Sequence, residues 1–124
     1  MPTIDIDYIQ HTLHYISGKW RIPILNTLFL VERARYSTLQ QRLPKIGSKM
    51  LTSELKALEH LNLMERIFTK NPRTIEYQLS AKGRSLFIVL EALSSWGERE
   101  LPQKATQLTA ENKHKINHFL TINI

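Results

Sequence analysis

The chain has 124 residues and a mass of 14.5 kDa, a size suited to one core and one domain, and it holds no cysteine, which removes disulfides, thiolate metal sites and thiol nucleophiles. Its formal charge is +6 with a pI near 9.8, and the excess is local: residues 36–84 carry nine cations against four anions, so +5 falls in that stretch. The amino terminus, MPTIDIDY, lacks the cationic start and apolar run of a secretory signal, and no apolar run nears the roughly 20 residues of a bilayer span, so the expectation is a soluble cytoplasmic protein with no membrane partner.

The spacing of Ile9, Leu13 and Ile16 predicts a first helix from Asp7 to Ile16, with acidic residues at its positive end, and Ser17-Gly18 breaks it. A second helix, Trp20 to Leu30, is apolar over much of its circumference and is expected to be the central buried one. Pro23 is tolerable there because it falls in the first turn, where amides have no intrahelical partner. Ala34-Arg35-Tyr36 reads as a short extended piece able to pair with a later hairpin.

Ser37 to Arg42 forms the next helix, with Ser37 as the expected N-cap and Pro44 as the stop. After a turn containing Gly47, Ser48 is expected to cap a helix whose Leu51, Leu55 and Leu58 lie on one buried face. Lys49, Thr52, Ser53 and Lys56 occupy the other face. A short helix, a Gly-containing turn and a helix with an apolar back and a cationic, hydroxyl-bearing front have the form of a helix-turn-helix reading head. Glu65 to Lys70 and Thr74 to Leu79 alternate as strands around the turn Asn71-Pro72-Arg73, giving a hairpin or wing with Lys70 and Arg73 at its tip.

Ser80 caps a long helix from Ala81 to about Leu101 with a stripe of Leu86, Val89, Leu90, Leu93 and Trp96. Pro102 closes it, and Thr109 starts a last amphipathic helix carrying Ile116, Phe119 and Leu120. The expected fold is mainly α with a small antiparallel β-hairpin, a single winged helix-turn-helix domain over residues 1–124. Its reading head spans about 36–80, and the helices at about 5–16 and 81–120 carry more apolar surface than one copy covers, which points to a homodimer.

The ordered set Ile16-Ser17-Gly18-Lys19-Trp20, Arg35-Tyr36-Ser37-Thr38-Leu39, Leu43 to Thr52, Leu55 to Glu59, Pro72 to Tyr77 and Leu79 to Gly83 resembles the HxlR-type winged-helix transcriptional regulators. The resemblance covers about Asp7 to Gly97. It implies a homodimer on a palindromic operator, with the helix beginning at Ser48 in the major groove, the wing on the adjacent backbone or minor groove, and the first and last helices at the dimer interface. Many members of that family carry a sensing cysteine just before the first helix, and Asp7 stands at the matching position here, so thiol sensing is excluded.

The expected DNA contacts are therefore Ser48, Lys49, Thr52, Ser53, Lys56, Lys70 and Arg73. Lys49 bonds guanine or phosphate, Thr52 and Ser53 suit base edges, Lys56 positions the backbone and Arg73 leads on the wing. Their bland alternative is a solvated face, which also covers Gln40 and Gln41, and Arg66 is expected to pair with Glu76 across the hairpin. His11 and His14, one turn apart with Asp7, and His114 with His118 offer a rival metal-responsive reading, although solvated histidines are far commoner than ligands. A protein-protein adaptor is the other rival, and the cations on the front of the helix weigh against it. No catalytic motif or cofactor loop is present, and any small-molecule effector is expected between the outer helices near Trp20, Phe87 and Trp96.

Overall fold

The computed structural model describes residues 3–101. The elements run α1 (Ile6–Ile16), α2 (Arg21–Val31), β1 (Arg33–Arg35), α3 (Tyr36–Arg42), α4 (Ser48–His60), β2 (Met64–Lys70), β3 (Arg73–Leu79) and α5 (Ala81–Glu100). The expected helix after Thr109 lies outside the described residues.

α1 starts one residue before the expected Asp7 because Asp5 caps it, its Oδ1 accepting from the amides of Asp7 at 2.9 Å and Tyr8 at 3.3 Å. Only Ile16 of its stripe is fully buried; Leu13 is half-buried and Ile9 exposed. α2 is the central helix, burying Ile24, Leu25, Thr27 and Leu28, with Pro23 in its first turn. The Thr27 hydroxyl donates to the Pro23 carbonyl at 3.0 Å, which satisfies the one polar side chain in that face.

The short extended piece after α2 does join the hairpin. β3 lies in the middle of a three-stranded antiparallel sheet ordered β1-β3-β2, with Ala34 opposite Tyr77 and Met64 opposite Leu79. Leu39 of α3, Ile46 of the turn, Leu51, Leu55 and Leu58 of α4, Leu63 and Met64 before the wing, and Leu86 of α5 close the core over α2. Burying these side chains, each worth about 1.5–3 kcal/mol, is what sets α3 and α4 at a fixed angle to the sheet.

Two expected caps fall elsewhere. β1 runs straight into α3, so that helix starts at Tyr36 with Arg35 as N-cap, and Ser37 is already inside it. Gly47, with extended backbone, is the N-cap of α4 and has no side chain to cap with, and Ser48 is the first helical residue. The Arg66–Glu76 pair is also not formed. The register sets Glu76 opposite Ile67, while Arg66, one residue away and therefore on the other face, pairs with Glu59 of α4 at 2.9 Å.

Candidate nucleic-acid interface

The front of α4 is built by its back. With Leu51, Leu55 and Leu58 buried at spacings of four and three, Ser48, Lys49, Thr52, Ser53 and Lys56 emerge together as the lining of one shallow groove, all exposed. No sequence-expected residue of this helix is turned inward.

Two contacts that the sequence does not announce hold the helix. Arg21 Nε donates to Glu54 Oε2 at 2.7 Å, with the side chains only 11% and 17% exposed, and its second nitrogen donates to the Tyr15 carbonyl at 3.1 Å. One guanidinium thus joins the end of α1 and the start of α2 to the middle of α4. On the groove edge, the Tyr36 hydroxyl donates to the Ser48 carbonyl at 2.8 Å and lies 3.1 Å from Thr52 Oγ1. A phenol has one proton. With it committed to Ser48, Thr52 donates to the phenol oxygen and turns its acceptor lone pairs outward, toward any amino group a base edge presents.

The wing places Lys70 directly opposite Arg73 as the last ladder pair, both exposed at the tip. Behind them Thr69 Oγ1 donates to the Pro72 carbonyl at 2.6 Å and accepts from the Thr74 amide at 3.1 Å, a stiffening that holds the two cations apart from the core. Tyr77, at the base of the same hairpin, has its phenol pKa raised by burial, opposed by the positive charge of Arg66 and reinforced by Glu59 and Tyr36.

The remaining expectations divide. Gln40 and Gln41 are exposed on α3. His11 and His14 are exposed on α1, His114 and His118 lie outside the described residues, and among the described residues no three metal-ligating side chains converge. A groove does open between α2 and α5, lined by Ile22, Pro23, Asn26, Phe29, Phe87 and Leu90 among others, with the Phe29 and Phe87 rings edge-to-face at 5.3 Å. Of the three aromatic residues expected around it only Phe87 contributes; Trp20, at the N-cap of α2, and Trp96, near the end of α5, do not line it. No helix among the described residues is long and apolar enough to cross a membrane.

A short helix, a turn, an outward-facing helix and a two-stranded wing define a winged helix-turn-helix. The chain belongs to the HxlR-like helix-turn-helix family, whose model matches residues 15–105. It is 37% identical over 89 residues to the HTH-type transcriptional regulator YdzF of Bacillus subtilis (strain 168), covering 71% of this chain and 82% of that protein. The structure of a regulator assigned to the MarR family from Enterococcus faecalis V583 superposes with a TM-score of 0.75 at 31% identity, over 85% of this chain and 96% of that one. The redox regulator HypR in its reduced form gives 0.67 at 27% identity, over 77% and 97%. This chain contains no cysteine. It is a transcriptional regulator with a helix-turn-helix DNA-binding fold.

Proposed function

We propose that the protein is a sequence-specific repressor of the cytoplasm that acts as a homodimer on a palindromic operator. α4 enters the major groove through Ser48, Lys49, Thr52, Ser53 and Lys56, and Lys70 and Arg73 of the wing hold the flanking phosphates. The observation that carries the reading is the exposed cationic and hydroxyl-bearing groove of α4, braced from behind by Arg21–Glu54 and at its edge by Tyr36. Dimerisation draws support from the apolar side chains left exposed on the outer helices and the segment before them: Ile4, Ile6 and Tyr8 at one end, Ile88, Leu93 and Trp96 at the other. Occupying the operator blocks transcription without any further part, which is why repression is the simplest outcome. The groove between α2 and α5 is where a small apolar effector would change the relation between the two heads.

Selection of bound fragments from genomic DNA tests this reading. Enriched sites carrying two inverted half-sites, centred about one helical turn of 10–10.5 bp or a multiple apart, are expected. Thr52→Ala and Lys49→Ala should lose more affinity for those sites than for random duplex. No enrichment, or equal losses on both kinds of DNA, would show that α4 does not read sequence.

A further inference from the structure

The hairpin has two unlike faces. Partners in the ladder share a face, as do alternate residues in each strand, so Met64–Leu79, Arg66–Tyr77, Phe68–Ile75 and Lys70–Arg73 form one row. The Arg66–Glu59 pair shows that this row looks to the α4 side. At its base Met64 and Leu79 are buried in the core, but farther out Phe68 is 68% exposed and Ile75 41% exposed. The opposite face is polar apart from Ile67, with Thr69 bonded to Thr74 and Gln78 donating to Glu65 at 3.3 Å.

An aromatic set against a β-branched residue stabilises a hairpin by itself, by roughly 0.2–1 kcal/mol. That accounts for a Phe and an Ile in the strands, and would serve equally on either face. It does not account for the frame around them. The Arg66 guanidinium, itself paired with Glu59, lies 5.7 Å from the Phe68 ring, Lys70 and Arg73 form the next pair of the row two ladder positions toward the tip, and no carboxylate of the hairpin shares this row. An apolar pair bordered toward the tip by two cations matches a nucleic-acid backbone, in which apolar deoxyribose faces alternate with phosphates. A protein partner covering an apolar patch would not need so one-sided a charge.

We propose that Phe68 and Ile75 pack against the deoxyribose walls of the minor groove beside the operator's major-groove site, with Lys70 and Arg73 on the phosphates that edge it. This rests on the DNA-binding reading above. The ion pair of Arg66 with Glu59 joins the hairpin to the last turns of α4. Phe68 and Ile75 supply affinity without releasing counterions, and Lys70 and Arg73 supply the part that salt removes.

The test is duplex binding of the full chain across a salt series, for wild type, Phe68→Ser, Ile75→Ser and Arg73→Ala. The two serine variants are expected to bind roughly tenfold more weakly with the slope of log affinity against log salt unchanged, since about one apolar side chain is left uncovered. Arg73→Ala should make the slope shallower. Because Phe68 is exposed, Phe68→Ser should melt within a few degrees of wild type. A minor-groove-binding dye on the operator flanks supplies a readout independent of the variants' folding: it should bring wild type down to the level of Phe68→Ser. Serine variants that bind like wild type, slopes that fall with their affinity, or a changed sedimentation mass with DNA binding intact would overturn the inference. If wild type itself fails to bind duplex DNA, both this inference and the reading beneath it fall; if wild type binds and the serine variants match it, only this one does.

Discussion

Replacing Gly83 with alanine should cost stability, although the same change on a free helix surface would add it. α5 starts at Ser80, whose hydroxyl accepts from the Gly83 amide at 3.0 Å and donates to the Asn62 carbonyl at 2.6 Å, while the Ser80 amide donates to the Leu63 carbonyl at 3.0 Å. These bonds draw the first turn of α5 onto the residue just before β2. A methyl group on Gly83 would lie 2.0 Å from the Leu63 carbonyl oxygen, 3.0 Å from its carbon and 3.2 Å from Leu79 Cδ2. The obstacle is backbone, which cannot swing aside as a side chain can. Relief requires the helix start to back away by roughly 1 Å or more, at about 1–3 kcal/mol for overpacking, with about 1 kcal/mol more if the Ser80–Leu63 bond is lost. At about 4 °C per kcal/mol for a chain of this size, the melting point should fall by about 4–16 °C. Gly97 on the same helix is the control. A methyl there meets only Leu101 Cδ1 at 4.0 Å, so Gly97→Ala should gain up to about 1 kcal/mol from helix propensity alone. Thermal melts of the two variants by circular dichroism decide the matter, and a Gly83→Ala protein as stable as wild type would refute the close approach of α5 to Leu63.

Three other outcomes are expected. Glu54→Leu leaves Arg21 charged, largely buried and without its carboxylate, and should cost about 2–3 kcal/mol in a denaturant titration; adding Arg21→Met should restore most of the loss, and an equal or larger loss in the double variant would show that the pair is not the source. Tyr36→Phe removes the bonds to the Ser48 carbonyl and to Thr52, at about 1 kcal/mol, and an unchanged denaturation midpoint would mean that neither bond holds α4. Because the Tyr77 phenol is raised above its ordinary value of 10.0, the native state resists its ionisation more than the unfolded chain does. That contribution is complete below about pH 10 and is lost as pH climbs through the higher folded value, so Tyr77→Phe should flatten the alkaline fall in stability.

Periodicity made the fold legible. Leucines at spacings of three and four placed α4 with its buried back, and the alternation after Glu65 placed the wing. Even the three-residue strand β1 announced itself as an extended piece between two helices, displaced by one residue from where it lies. What stayed hidden depends on atoms far apart in sequence. Arg21 and Glu54 are 33 residues apart, and neither residue's surroundings mark it as half of a nearly buried pair. Gly83 reads as a helix-weakening glycine until the Leu63 carbonyl is placed against it. Tyr36 reads as part of a strand, and its hydroxyl matters only because α3 starts one residue early and turns the ring toward α4. Proximity along the hairpin points Arg66 to Glu76. A side chain alternates faces at every residue, so a register offset of one sends it to the helix instead. In the α4 groove the sequence supplied all five side chains but not the acceptor role that Tyr36 gives Thr52.

The central claim is that the front of α4 and the tip of the wing neutralise DNA phosphates while the helix reads bases. Duplex affinity measured against salt tests it most directly. If Lys56, Lys70 and Arg73 each meet one phosphate on both copies of a dimer, log affinity should fall with log salt at a slope of about −5, and Arg73→Ala should bring it to about −4. An affinity for duplex DNA that stays flat as salt rises would contradict the account.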